Sequence, residues 1–106
     1  MNRLKQLAMN IRKNPDDSFS KFALALECIK KGNNKDALSL FKSIEKNDPD
    51  YVGLYYHLGK LYVSTGENEK ALKAYHKGIE IAGRQKDTHA RNELQAALFE
   101  LESELE

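Results

Sequence analysis

Few side chains in this sequence have the type and spacing needed for catalysis or metal binding. The candidates are Cys28 and three histidines, His57, His76 and His89. The histidines lie on three different predicted helices, or at a helix edge, and none belongs to an H-E-x-x-H zinc motif. The sequence also lacks a phosphate-binding G-x-x-x-x-G-K-S/T loop, a C-x-x-C pair and the marks of a Ser-His-Asp triad. We therefore expect no metal, no cofactor and no enzymatic activity.

The composition is typical of a small globular domain. The chain has 106 residues, of which 41% are hydrophobic and 31% charged, enough for one core. Lys and Arg total 17 against 16 for Asp and Glu, so no general attraction to nucleic acid or an anionic membrane is expected. Cys28 is the only cysteine, which excludes an intrachain disulfide, and its apolar surroundings predict a small buried residue. With no long apolar run and no signal-peptide core, we expect a cytoplasmic protein.

The elements that would position these residues are all helices. Helical periodicity predicts an amphipathic, basic helix over residues 1–13, ended by Asn14 and Pro15. Two further helices follow, over about 18–31 and 35–47, separated by Gly32 as a left-handed turn residue. Pro49 ends this pair, and Asp50 is expected to cap the next helix.

The same pattern then returns after 34 positions. Seven pairs of residues are separated by this offset of 34: Pro15 and Pro49, Gly32 and Gly66, Leu24 and Leu58, Ala25 and Gly59, Cys28 and Tyr62, Ala37 and Ala71, and Phe41 and Tyr75. Small residues at these positions let two helices approach closely, aromatic residues fill the space between helices, and the glycines form tight turns. The second copy, Val52 to Ile81, is the better formed.

Residues 14–83 resemble the tetratricopeptide-repeat (TPR) family. The resemblance is carried by the run Tyr55-x-x-Leu58-Gly59-x-x-Tyr62, followed by Ala71-x-x-x-Tyr75. It implies an all-α fold, a right-handed superhelical stack of antiparallel helix pairs with about six helices. The predicted single domain comprises a packing helix (1–13), two repeats (18–49 and 52–83) and a capping helix (87–105). The sequence departs from the family pattern at Lys21, where an aromatic residue is usual, at Ala25, which replaces glycine, and at Gly83, which replaces proline.

The predicted capping helix begins after Asp87 or Thr88, either of which can cap it. Its apolar stripe has helical spacing and consists of Ala90, Leu94, Ala97, Leu98, Leu101 and Leu105. Phe99 lies beside this stripe and is expected to widen it. The other faces are mostly acidic, with Glu93, Glu100, Glu102, Glu104 and Glu106.

The resemblance to this family implies a function in protein binding. In TPR arrays the first helix of each pair lines a concave groove that holds peptides. The resemblance assigns to this groove Phe19, Phe22, Leu26, Lys30, Tyr56, His57, Lys60, Ser64 and Arg91. The alternative for Phe22 and Leu26 is that a terminal helix covers them. Capture of a chaperone's C-terminal carboxylate is disfavoured because Phe22, Leu26 and His57 stand where Lys and Asn would be needed.

A second interpretation is a homo-oligomeric scaffold that assembles through its helix ends. One end of the sequence is basic, with Arg3, Lys5, Arg12 and Lys13, and the other carries the glutamates named above. The basic first helix lacks a Trp or Phe anchor for a membrane surface and stacking aromatics for nucleic acid. We therefore expect a protein or peptide partner, or a second copy of the chain, and neither nucleic acid nor membrane.

Overall fold

The computed structural model describes residues 2–106, which form six α-helices and no β-strand. The helices are α1 (Arg3–Lys13), α2 (Ser18–Lys30), α3 (Asn34–Asn47), α4 (Gly53–Ser64), α5 (Asn68–Gln85) and α6 (Thr88–Glu104). They divide into two compact units, one ending at Tyr51 and the other beginning at Val52. Within residues 2–106, none of these helices has the length and apolar character needed to span a membrane. The start of the first predicted helix, Met1, lies outside the described residues.

The first unit consists of α1 packed on α2, and α2 packed on α3. The Asn2 side chain caps α1 by accepting a hydrogen bond from the backbone N–H of Leu4 at 2.7 Å. Leu7 is the buried residue of α1, and Arg3 forms an ion pair of 3.6 Å with Glu27 of α2. The core of this unit is formed mainly by the buried residues Ala23, Ala25, Ala37, Phe41 and Ile44.

A lysine occupies the first-unit core position at which the family usually has an aromatic residue. Lys21 is only 5% exposed, and its Nζ donates a hydrogen bond of 2.9 Å to Oγ of Ser43 on α3. Burying an ammonium group is unfavourable unless it is hydrogen-bonded. Ser43 thus supplies a partner for a residue whose equivalent one repeat later is the fully buried Tyr55.

The second unit packs α5 between α4 and α6, with a smaller contact between α4 and α6. Two glycines allow the close approaches. A Cβ at Gly59 would lie 2.6 Å from Cδ1 of Tyr75, and one at Gly78 would lie 2.6 Å from Cβ of Tyr55. The buried core consists of Leu54, Tyr55, Leu58, Leu61 and Tyr62 on α4, Ala71, Ala74, Tyr75, Ile81 and Ala82 on α5, and Leu94, Ala97 and Leu101 on α6.

The turns inside the two helix pairs have the same backbone geometry. Gly32 and Gly66 both have φ of +79°, which confirms the left-handed turn predicted at these positions. The next N–H in each case donates to a carbonyl five residues earlier, Asn33 to Cys28 at 2.8 Å and Glu67 to Tyr62 at 2.9 Å. This is the Schellman arrangement, and it favours glycine because other residues pay a steric cost at positive φ.

The structure differs from the sequence expectation in three places. Val52, not Asp50, occupies the N-cap position of α4, and it provides no side-chain cap. Gly83 lies inside α5, which continues to Gln85 and ends at the left-handed Lys86 with φ of 59°. Phe99 is 72% exposed and Leu105 50% exposed, so neither extends the buried stripe of α6. Leu105 fails to do so because it follows the last helical residue, Glu104.

Candidate protein-binding surface

The residues of α2 assigned to a groove have very different environments in the first unit. Phe19 is 64% exposed. Phe22 is half-buried, with its ring centroid 6.1 Å from that of Phe41 and 5.7 Å from that of Tyr51. The Phe22 ring is therefore used at least partly for packing inside the unit, whereas Phe19 can contact another molecule.

The other two predicted residues of α2 lie further along the helix. Leu26 is half-buried. Lys30 is exposed, and its Nζ is 3.6 Å from a carboxylate oxygen of Glu27, which also pairs with Arg3. Exposed pairs of this kind contribute little to stability, so Lys30 can exchange this partner for another carboxylate.

Three of the predicted residues form a cluster on α4. The rings of Tyr56 and His57 are perpendicular, with centroids 5.3 Å apart and an interplanar angle of 83°. Nζ of Lys60 lies 5.9 Å from the centroid of the Tyr56 ring, at the outer limit of a cation–π contact. Tyr56 and His57 are half-buried and Lys60 is exposed. The cluster presents one aromatic face, one imidazole and one ammonium group along one turn of helix.

Acidic side chains of α6 lie close to this cluster. The pKa of His57 is below its ordinary value because burial disfavours the imidazolium, and Glu93 opposes this shift. Burial raises the pKa of Tyr75 to about 12, with smaller contributions from Tyr56 and Glu100. His57 is thus neutral at pH 7 and can both donate and accept a hydrogen bond.

A narrow crevice separates α4 from α6 beside Lys60. It has a volume of about 50 Å³ and is lined by Lys60, Val63, Tyr75, Ala97, Glu100, Leu101 and Glu104. Its walls are charged and its interior is aromatic and aliphatic. A space this small accepts one small side chain and is too small for a typical cofactor. We refer to this crevice together with Tyr56, His57 and Glu93 as the α4–α6 surface.

The remaining two predicted residues do not line this crevice. Ser64 is exposed at the end of α4, where its hydroxyl donates a hydrogen bond of 2.7 Å to the Leu61 carbonyl. Arg91 lines a different depression, at the turn between α5 and α6, together with Lys86 and Asp87 among others. Their predicted contact with a peptide stays a prediction.

Sequence reasoning missed the acidic half of this surface. Glu93, Glu100 and Glu104 are separated by seven and four positions, which is the spacing of one face of a helix. The sequence alone predicts them as solvated residues of a capping helix. Their spacing is the signal for one acidic face on α6, and the packing of α6 decides that this face lies beside Tyr56 and Lys60.

Within residues 2–106, no group of three or more His, Cys, Asp or Glu side chains could hold a metal ion. Cys28 is half-buried, and burial together with Asp36 and Glu27 raises the pKa of its thiol. A raised pKa keeps the thiol protonated and weakly nucleophilic at pH 7.

Comparison with known proteins identifies the family. The model of the tetratricopeptide repeat matches residues 29–98, and the chain therefore belongs to the tetratricopeptide-repeat family. No curated protein sequence gives a significant match. The resemblance inferred from the 34-residue offset is thus confirmed.

Solved structures agree with this assignment. A crystal structure of a tetratricopeptide-repeat domain protein from Salinibacter ruber is 42% identical, covers 82% of this chain and 97% of its own, and has a TM-score of 0.79. A solution structure of such a domain from the same organism is also 42% identical, with a TM-score of 0.81. The match covers 85% of this chain and 91% of the Salinibacter chain. A Bordetella parapertussis protein of 23% identity shares the fold, with a TM-score of 0.81. The match covers 98% of this chain and 90% of the Bordetella chain.

The fold class is accordingly an all-α, TPR-like solenoid, as predicted. Members of this family generally act as protein–protein interaction modules and typically lack enzymatic activity. Protein binding is therefore the class of function that the fold supports.

Proposed function

We propose that this chain is a protein-interaction module whose α4–α6 surface binds a short segment of a partner protein. The observation that carries the proposal is the cluster of Tyr56, His57 and Lys60 beside a crevice whose opposite wall is acidic. Aromatic residues with a polar edge are the usual anchors of protein interfaces.

The chemistry of the surface defines the segment that fits it. The Tyr56 ring and the crevice beside it accept an apolar side chain. The ammonium of Lys60 can pair with a carboxylate, whereas Glu100 and Glu104 favour a basic residue on the other side. The expected ligand is a peptide with one apolar residue between an acidic and a basic one, bound in extended or helical form.

The first unit contributes a separate proposed contact. Phe19 is exposed, and Leu26 and Lys30 follow it on α2. We treat these residues, and the accessible edge of Phe22, as a second surface for protein binding. Self-association involves other residues, on α1 and α6, and is a different proposal.

Site-specific photo-crosslinking tests the location of the α4–α6 surface. A photoreactive side chain replaces Ser64, which is exposed next to the crevice residue Val63, and in a control replaces His76, which is exposed on α5. Irradiation in the source cell should yield a covalent adduct from position 64 and none from position 76. The adduct should disappear in a Tyr56→Ala/Lys60→Ala background. An adduct that persists in that background would place the partner on another surface.

A further inference from the structure

The outer side of α6 carries a large apolar group that the second unit does not use. Phe99 is 72% exposed and Leu105 50% exposed. Together with Glu102, Ser103 and Glu106 they line an open depression of about 510 Å³. Neighbouring exposed apolar side chains rimmed by polar residues are a feature of interaction sites. We refer to these five residues as the α6 outer patch.

The charge of this patch restricts what can bind it. Glu102 and Glu106 flank Phe99, and the C-terminal end of a helix adds partial negative charge from its unsatisfied carbonyls. A matching surface should combine an exposed apolar side chain with several cations. An acidic or uncharged surface would leave the glutamates without partners.

Helix α1 presents such a surface. Lys5, Met9, Arg12 and Lys13 lie on one side of the helix, opposite the buried Leu7, and Met9 is 37% exposed. The first turn of α1 contains no acidic residue, and Arg12 and Lys13 occupy the last turn. We refer to these four residues as the α1 basic face. They place a flexible apolar side chain, which adapts readily to an aromatic partner, among three positive charges.

We propose that the α6 outer patch of one molecule binds the α1 basic face of a second copy of the chain. Met9 of one copy would pack on Phe99 of the other, and Lys5, Arg12 and Lys13 would pair with Glu102 and Glu106. Contact between two α6 outer patches is disfavoured, because it brings the glutamates of both copies together without a counter-charge. The contact joins two different surfaces, so it is heterologous and leaves each molecule with one further surface available.

Charge reversal and mixing test this contact with the whole chain. Lys5→Glu/Arg12→Glu makes the α1 basic face acidic, and Glu102→Lys/Glu106→Lys makes the α6 outer patch basic. In sedimentation experiments the wild type should associate increasingly as its concentration rises. This association should be weaker at about 1 M salt, where the Debye length is about 3 Å, than at about 0.01 M salt, where it is about 30 Å. Each reversed variant should be monomeric alone, and an equimolar mixture should associate again.

Two further variants complete the test. Phe99→Ser should weaken association about tenfold or more, the loss expected from removing one buried aromatic side chain. Lys35→Glu/Lys42→Glu, two exposed positions of α3 with the same seven-residue spacing as Lys5 and Arg12, should associate like the wild type. Circular dichroism checks that every variant retains its helices.

Three results would overturn the proposal. The first is a wild type that stays monomeric at all concentrations and both salt levels. The second is continued association of Lys5→Glu/Arg12→Glu alone, which would indicate contact between two α6 outer patches. The third is failure of the mixture to associate. No substituted residue belongs to the α4–α6 surface, so these outcomes are independent of peptide binding.

Discussion

Gly59 on α4 and Tyr75 on α5 are packed so closely that no side chain fits between them. A Cβ on Gly59 would lie 2.6 Å from Cδ1 of Tyr75, and Tyr75 itself is only 1% exposed. This contact holds Tyr56 and Lys60, the neighbours of Gly59 on α4, at a fixed distance from α5. The small residue Gly59 and the aromatic residue Tyr75, both typical of the family, therefore help to set the geometry of the α4–α6 surface.

Gly59→Ala is expected to destabilise the protein. The added methyl group must displace Tyr75 or separate the helices, and overpacking of this kind costs about 1–3 kcal/mol. That loss exceeds the gain of about 0.5–1 kcal/mol from replacing glycine in a helix interior. Denaturant unfolding of wild type and variant measures the difference.

Gly83→Ala is the matched control for this substitution. Gly83 is also helical, but a Cβ there meets nothing within 4 Å, so only the gain in helix propensity remains. We expect Gly83→Ala to stabilise the protein by about 0.5–1 kcal/mol. If the two alanine variants changed stability equally, the close contact of Gly59 with Tyr75 would not be the cause.

The hydrogen bond of the buried Lys21 in the first unit is expected to contribute to stability. Ser43→Ala removes the serine hydroxyl that accepts a hydrogen bond from the Lys21 ammonium. It should lower the free energy of unfolding by about 1.5–3 kcal/mol, the usual contribution of a hydrogen bond to a charged group. Lys21→Met removes the buried charge and should be neutral or stabilising.

A double-mutant cycle separates these effects. In the Lys21→Met background, Ser43→Ala should cost much less than it does alone, because no ammonium is left without a partner. Equal costs in both backgrounds would show that the hydrogen bond between the two residues does not contribute to stability.

His57 predicts a dependence of stability on pH. Because burial lowers its pKa in the folded state below the ordinary 6.5, the unfolded chain binds a proton first as the pH falls. The contribution of His57 to stability is complete above pH 6.5 and is lost as the pH falls towards the folded-state pKa. Relative to His57→Gln, the wild type should lose stability over this range.

Unfolding measured at a series of pH values checks this sign. The same substitution at His76, which is exposed on α5, controls for the loss of an imidazole as such. A wild type that gained stability relative to His57→Gln on acidification would mean that the attraction of Glu93 outweighs the burial of the ring.

The architecture could be predicted from the sequence because the signals were repeated. The left-handed glycines, Gly32 and Gly66, and the small residues that face aromatics recur at one offset, and each has a single packing explanation. The end of α5 could not be predicted in this way. Gly83 is compatible with either a helix end or a helix interior, and packing of the neighbouring Ile81 and Ala82 favours continuation.

The candidate site could be predicted only in part, because it combines residues of two helices. Tyr56, His57 and Lys60 lie on one helix, so their proximity follows from spacing alone. Which residues of α6 face them depends on how that helix packs on α4 and α5, and local sequence does not specify this rotation. Phe99 illustrates the point, because an apolar residue beside an apolar stripe was expected to be buried and is exposed.

The dissociation constant for the segment identified by crosslinking tests the central proposal most directly. It is measured by titration against the wild type, Tyr56→Ala/Lys60→Ala, and the control Lys73→Ala/His76→Ala, whose two positions are exposed on α5. Loss of an aromatic anchor and its neighbouring cation should weaken binding by about 30-fold or more, the effect of removing an interface hot spot. The control should bind like the wild type. Equal affinity of all three proteins, with unchanged helicity, would contradict a binding surface between α4 and α6.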